Sequence, residues 1–523
     1  MSARGRRAGL LIPLFSCPSS GSWGIGDISD IGALADWMAA AGQRVWQLLP
    51  INEMAPGAHS PYSAISAMAI DPIFVDLRAV AEFTALGGES SLSSKQRAQL
   101  DRVRRSPTIA YNDVRGLKHA ALQASFARFV DAEWLRETDR AKQMKRFLAE
   151  QAWWIEDYAI FRALHAFQAE RAWTAWPEPL RRRDPAAIGE ARRAMSSDVL
   201  FYQYLQWLAH EQWREARSRA GVALFGDLPF MVDGDSADVW ARQDQFRLDV
   251  SVGAPPDAFS ATGQDWGMPL YRWDVIADQD FRWLRERARR SSDLYDGYRV
   301  DHLVGFYRTY ARPVDGDAFF TPAREGDQVA LGERILSILS ESGAEIVAED
   351  LGIVPDFVRA SLRRLGVPGF CVFRWERDWR AEGQPFRDPA EYPPVSVATS
   401  GTHDTETLAA WWESASEHER LQVFALPTVV RLSGGVDLQR MPYNPAVRDV
   451  LLEAILASAS NLALLPMQDV FGWRARINEP GTVGDHNWTF RLPWPVDRLC
   501  DTPEAGERQA QLREWADRYG RTG

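Results

Sequence analysis

A chain of 523 residues with 46% hydrophobic and 25% charged residues can bury a large core without metal or disulfide staples. Its net charge of −11 offers no attraction to phosphate backbones, so nucleic acid is not an expected partner. Cys17, Cys371 and Cys500 are too scattered for a disulfide framework or a zinc pattern and fit a reducing compartment. No stretch approaches the ~18 apolar residues of a membrane span, so no membrane partner is expected either.

In chain order, the first decision falls at the N-terminus. Basic residues 4–7 followed by apolar residues 8–15 read either as a leader ending in a Leu14-Phe15-Ser16-Cys17 box or as a first strand over residues 10–15. Pro13 interrupts the run and no polar spacer follows, so a first strand and a retained N-terminus in a cytoplasmic protein are expected. A helix follows over 31–41, and short apolar runs predict strands over 45–50, 222–227, 298–301, 345–349, 395–399 and 462–467. Helices are expected at 332–340 and 356–365. The stretch 84–215 breaks the alternation, with 3.6-residue periodicity at 120–129 and 150–171. It is expected to be a helical insertion between two early strands of one catalytic unit spanning 1–523.

Strand–helix alternation argues for an α/β fold with a parallel sheet. Helix counting leaves an open doubly wound sheet in play. Acidic residues recurring at strand ends favour a closed (β/α)8 TIM barrel, whose active site is built there. No G-x-G-x-x-G or G-x-x-x-x-G-K-[ST] is present, which removes the usual nucleotide readings. The 22 tryptophans read one by one as core residues, and as a group they allow sugar-stacking platforms.

Four acids end four of these strands: Asp227, Asp301, Glu349 and Asp404. Each alone reads as a helix cap. Together at one end of a barrel they point to glycosidic chemistry, which needs one ionised and one protonated carboxyl around an oxocarbenium-like carbon. In Tyr298-Arg299-Val300-Asp301-His302, residues two apart share a strand face, so Arg299 lies beside Asp301 and favours a carboxylate nucleophile there. Glu349 closes an apolar strand, and burial near other carboxyls raises its pKa toward that of an acid/base. Asp350 points the other way and reads as structural. Asp404 is placed to grip sugar hydroxyls.

These residues resemble the α-amylase superclan, with its R-x-D, E and H-D at strands four, five and seven. The wording is similar to one branch over nearly the whole chain: glycoside hydrolase family 77, the amylomaltases or disproportionating enzymes. The motifs are Trp46-Gln47-Leu48-Leu49-Pro50, Ser60-Pro61-Tyr62, Gly226-Asp227-Leu228-Pro229, Arg299-Val300-Asp301-His302, Ala348-Glu349-Asp350-Leu351-Gly352, Gly401-Thr402-His403-Asp404, Gln468-Asp469, Asn478-Glu479-Pro480-Gly481 and Asn487-Trp488. The most specific is Pro255-Pro256-Asp257 running to Gly263-Gln264-Asp265-Trp266-Gly267, which general amylases lack.

The resemblance implies 4-α-glucanotransfer by retaining double displacement. It makes Asp301 the nucleophile, Glu349 the acid/base and Asp404 the transition-state stabiliser. Tyr62, Asp227, Arg299 and His403 then line the cleaved sugar's site, Ser60 and Asp257 are further substrate-binding residues, and Trp266, on the substrate-embracing loop with Asp257, contacts the acceptor side. Maltooligosaccharides, glucose and α-1,4-glucans are the implied partners, with no cofactor or metal. The chain departs from the family's common residues at Met68, Asp71, Ala258 and Met268 and over 51–59. An amylase-like hydrolase using the same intermediate, and an inactive glucan-binding protein, are the competing readings.

Overall fold

The computed structural model describes residues 5–256, 262–482 and 484–523. Eight strands form a closed barrel: β1 (Arg7–Leu11), β2 (Val45–Gln47), β3 (Ala223–Leu228), β4 (Gly297–Val300), β5 (Glu345–Ala348), β6 (Gly369–Val372), β7 (Ser396–Thr399) and β8 (Leu462–Pro466). Every neighbouring pair is parallel, and β1 closes the ring against both β2 and β8. This is the (β/α)8 barrel, with sequential strand order.

Three strands differ from expectation, among them β2, which ends at Gln47 rather than running to residue 50. The first ends at Leu11 rather than running over 10–15: Pro13 has no amide hydrogen for the ladder, and Leu14–Ser16 turns as a 3-10 segment. Sequence reading passed over β6, which is only four residues long. It is stapled to the end of β5 by Asp350, whose Oδ1 accepts from the Phe370 amide at 2.8 Å. Gly369 is required there, because a Cβ would stand 2.6 Å from that carboxylate.

The barrel interior follows the two-residue strand period. Val45, Phe225, Val347, Phe370, Val397 and Leu462 form a buried inner cluster, one from each of six strands. Arg299 continues β4 inward one step above Gly297, where the Phe225 ring occupies the space a side chain would need. Tyr298 and Val300 face outward into the shell under the helices. Fifteen of the 22 tryptophans, Trp46 and Trp213 among them, are buried, so most of the indole content is core.

Between β2 and β3 the chain forms a series of helices, including Ser94–Arg105, Tyr111–Phe129, Asp139–Glu150, Ala152–Phe167 and Ser196–Arg219. Their starts carry explicit signals: a Ser93/Gln96 capping box, and the Thr138 side chain accepting from Ala141 N. The expected helix at 150–171 is shorter because Gln151, at φ −103 and ψ 9, breaks it from the preceding one. Residue 215 falls inside Ser196–Arg219, which runs on along the barrel wall, where Trp213 Nε1 donates to Leu294 O at 2.7 Å. A four-stranded antiparallel sheet, in the order Gln264–Tyr271, Phe246–Ala254, Thr309–Pro313, Phe319–Thr321, rises from the segments after β3 and β4. Among the described residues no helix is long and apolar enough to cross a membrane.

Gly226 in β3 tests the close packing that holds Asp227 in place. A Cβ there would meet the Tyr295 ring at 2.2–2.5 Å, and that buried ring already packs edge-on against Trp213. Gly226→Ala is expected to lower stability by roughly 1–3 kcal/mol, read as a shifted urea midpoint at unchanged slope. A midpoint equal to wild type would show that Tyr295 can move aside.

Candidate active site

The four acids singled out in the sequence all lie at the C-terminal end of the barrel. Asp227 is in β3, Asp301 and Glu349 directly follow β4 and β5, and Asp404 lies in the loop after β7. Three of them, Asp227, Asp301 and Glu349, converge on Arg299. Its Nη1 donates to Asp227 Oδ2 at 2.6 Å, and its Nη2 reaches Asp301 Oδ1 at 2.9 Å and Glu349 Oε2 at 3.6 Å. One nitrogen touching both carboxylates keeps Asp301 and Glu349 no farther apart than those two reaches laid end to end.

Burial and partners set the protonation of each acid. Burial pushes Glu349 up to about 7, against the pull of Arg299 and with repulsion from Asp301. Asp227 is raised to about 6 by burial, again opposed by Arg299. At Asp404 desolvation is outweighed by His403 and Asn478, which hold its carboxyl well below the usual range. Asn478 Nδ2 donates to Asp404 Oδ1 at 2.7 Å, and His403 Nε2 stands 3.2 Å from Oδ2. The arrangement therefore contains carboxyls in opposite protonation states at neutral pH.

Tyr62 links the two halves. Its hydroxyl donates to Asp227 Oδ2 at 2.8 Å, lies 3.1 Å from His403 Nε2 and accepts from Arg299 Nη1 at 3.3 Å. Its ring stacks on His403 at 5.4 Å and leans on Trp488 at 5.8 Å. Ser60 does not reach into this cluster: its hydroxyl accepts from the Tyr62 amide at 3.3 Å and shapes the turn that presents the tyrosine. Asp227 Oδ1 and His403 Nδ1 are buried with no hydrogen-bond partner among the described residues.

His302 has a left-handed backbone, φ 40, which aims its amide at Glu349 Oε2 at 2.6 Å. Strain of this kind persists where the surroundings over-determine it. Burial lowers its imidazole to about 4, so it is neutral, and Trp266 meets it edge-on at 4.7 Å. Trp266 thus reaches the same end of the barrel from the strand Gln264–Tyr271, where Met268 pairs with Val252. Asp257 and Ala258 lie outside the described residues. Of the other departures, Asp71 is buried and held by both Arg115 nitrogens at 3.0 and 2.7 Å, so its added charge is matched. Met68 is buried, and its carbonyl accepts from Arg290 Nε at 2.8 Å.

Several contacts were not assigned from sequence. Asn478 was visible in its Asn-Glu-Pro-Gly motif, and Trp488 beside Asn487, but neither carried a role. Arg476, which donates to the Asp404 carbonyl at 2.9 Å and the Asn478 carbonyl at 3.2 Å, carried no signal. Asp469 explains the Gln468-Asp469 pair: it accepts from Ser400 Oγ and Leu408 N, each at 2.6 Å, and so brackets the loop holding His403 and Asp404.

A closed (β/α)8 barrel with these carboxyls gathered around one buried arginine has the makings of a glycoside-processing enzyme. A family model described as 4-alpha-glucanotransferase matches residues 12–497. The chain is 33% identical to the 4-alpha-glucanotransferase of Thermus thermophilus, covering 98% of this chain and 99% of that protein. It is 31% identical to that of Chlamydia pneumoniae, covering 94% and 92%. Among solved structures, the amylomaltase from Streptococcus agalactiae in complex with acarbose superposes with a TM-score of 0.82 at 26% identity, covering 99% of each chain. The chain belongs to glycoside hydrolase family 77, and its activity is 4-α-glucanotransfer.

Glu349 makes a stability prediction independent of turnover. In the unfolded chain it loses its proton near pH ~4.3, whereas the folded protein keeps it to about 7. Folding stability therefore falls as pH rises through that window, and above it the charged buried group costs on the order of 3 kcal/mol. Glu349→Gln removes the titration. Its melting temperature is expected to exceed wild type at pH 8, with the gain gone at pH 4. A variant no more stable at pH 8 would show that Arg299 and His302 compensate the charge fully.

Proposed function

We propose that Asp301, Glu349 and Asp404 carry out the transfer by retaining double displacement. The observation that supports this best is the single Arg299 nitrogen touching both Asp301 and Glu349. It keeps them close, as a nucleophile and an acid/base acting at one bond must be; retaining sites set such groups ~5–5.5 Å apart. The Asp301 carboxylate attacks the anomeric carbon while Glu349 gives its proton to the leaving glycosidic oxygen. The shortened glucan departs with that proton, leaving a glycosyl ester on Asp301. Glu349, now ionised, takes the proton of an incoming 4-hydroxyl, whose oxygen attacks the same carbon and frees Asp301. Bonds and protons balance on side chains alone, so no cofactor is assigned.

In this reading Asp404, kept ionised by His403 and Asn478, binds sugar hydroxyls and strengthens that grip as positive charge develops. Tyr62, Asp227, Arg299 and His403 line the donor sugar; the unpartnered Asp227 Oδ1 and His403 Nδ1 suit its hydroxyls. Ser60 serves by shaping the turn at Tyr62. Trp266 covers the acceptor side, and Asp257 belongs to the same embracing loop on the strength of its motif. Donors and acceptors are maltooligosaccharides, longer α-1,4-glucans and, as acceptor, glucose; neither nucleic acid nor membrane takes part. The whole chain acts as one catalytic unit with 84–215 as a helical insertion. A cytoplasmic location is supported by the free cysteines and by Arg7–Leu11 serving as a barrel strand that cleavage at Cys17 would remove.

With maltotriose alone, the wild type is expected to build a ladder that includes chains longer than the input while total reducing ends stay constant. Asp301→Asn should abolish it. Glu349→Gln should lose orders of magnitude on natural glucans yet form the glycosyl-enzyme from a donor with an activated leaving group that needs no proton. An equal defect on both donors would remove Glu349 from the acid/base role. Rising reducing ends without long products would mean that water is the acceptor.

The pH dependence follows from the same assignment. The first step needs Glu349 protonated, so kcat/KM should fall on the alkaline side with an apparent pKa near about 7. A profile flat from pH 6 to 9 would contradict the proposal.

A further inference from the structure

The loop carrying Tyr62 leaves β2, folds back on itself and reaches the 3-10 turn Pro72–Phe74. Its two legs are laced by backbone bonds: Asp71 N to Ile51 O, Glu53 N to Ala69 O, Ile65 N to Glu53 O and Ala55 N to Ser63 O, between 2.8 and 3.1 Å. Glu53 and its neighbours thus bond directly to the chain that follows Tyr62.

Each leg also carries one buried acid. Glu53 is 5% exposed and Asp71 fully buried. Each is met by a cation from a different helix between β2 and β3. Arg162 Nε, on Ala152–Phe167, donates to Glu53 Oε1 at 3.0 Å, and the Tyr158 hydroxyl from the same helix bonds Glu53 Oε2. Arg115, on Tyr111–Phe129, grips both oxygens of Asp71, whose Oδ2 also accepts from Met54 N at 3.1 Å. Gln206, on Ser196–Arg219, closes the set by bonding Ile70 N, Ile70 O and the Tyr158 hydroxyl. Three helices therefore hold one loop through buried polar groups, and the loop's only side chain in the Arg299 cluster, among the described residues, is Tyr62.

We infer that the ion pairs Glu53–Arg162 and Asp71–Arg115 are positioning pairs through which the helical insertion sets Tyr62 against Asp227 and His403. The helices contribute to catalysis by fixing one hydroxyl. Apolar contacts would bury similar area, but they lack direction. A paired buried charge fixes register, since any slip strands an uncompensated ion. The inference rests on Tyr62 lining the donor sugar.

The test is a double-mutant cycle on maltotriose disproportionation. Glu53→Gln with Arg162→Met removes both charges together, and Glu170, which Arg162 also reaches at 3.4 Å, keeps His165 as its partner. It is expected to lower kcat about 10- to 100-fold, the scale of an ångström's misplacement, with KM within about threefold. In a Tyr62→Phe background the same double change should have little further effect on kcat. If the two defects multiply instead, the pair does not act through Tyr62 and the inference falls. It falls also if the double variant melts lower but keeps wild-type kcat. Should that variant not fold, Asp71→Asn with Arg115→Gln poses the same question on the other leg. Tyr62→Phe with unchanged kcat would remove the donor-site reading as well, which separates failure of that reading from failure of the inference alone.

Discussion

One guanidinium organises the catalytic end of this barrel. Arg299 is 5% exposed and contacts Asp227, Asp301 and Glu349 at once. A single buried cation faces three carboxyls, so burial is only partly offset among them. Glu349, raised to about 7, and Asp227, raised to about 6, are where burial places them. A second arginine here would ease burial and erase the difference between the acids. Under the proposed assignment, that deficit of positive charge keeps a proton on Glu349 for a leaving group. Asp404 escapes the competition because His403 and Asn478 serve it separately.

The barrel supplies position more than chemistry. Strand period puts Arg299 on the inner face of β4 with Asp301 just past its end, in reach of the guanidinium, while Asp227 lies in β3 and Glu349 directly follows β5, so three acids find one another within a residue of the ladder. Tyr62, His403 and Asp404 come from loops, and each loop is tied by buried polar groups: Asp469 across the His403–Asp404 loop, the Glu53 and Asp71 pairs across the Tyr62 loop. Residues carried on strands need only the ladder, whereas residues carried on loops need a second set of anchors.

That difference also decides what could be read from sequence. Asp227, Arg299, Asp301 and Glu349 were legible because they terminate apolar runs, and the adjacency of Arg299 to Asp301 follows from counting by two. The barrel was legible from alternation plus acid placement, while β6, no shorter than β4, β5 or β7, escaped because none of the four acids marks its end. The first strand was misplaced because apolar residues continue past Pro13, and hydrophobicity alone does not show where a ladder stops. Arg476 and Asp469 act through carbonyls and amides far away in sequence, which no local pattern encodes. The family motifs named Asn478 and Trp488 without explaining them; only the fold shows that one holds Asp404 and the other leans on Tyr62.

Transfer in place of hydrolysis is a contest between two acceptors for one glycosyl ester, and geometry can weigh it. Water is present at about 55 M, yet a hydroxyl held in line can act with an effective molarity of 10⁵ M or more. An acceptor site that orients one sugar therefore outcompetes solvent without having to exclude it completely. Trp266 stands where such orientation is useful. Its indole meets His302 edge-on, and the His302 amide is the group that bonds Glu349. Under the proposed assignment, an acceptor sugar resting on Trp266 lies one residue from the base that must take its proton. In that assignment the left-handed backbone of His302 joins the proposed acceptor platform to the proposed acid/base, since its ring meets Trp266 and its amide meets Glu349.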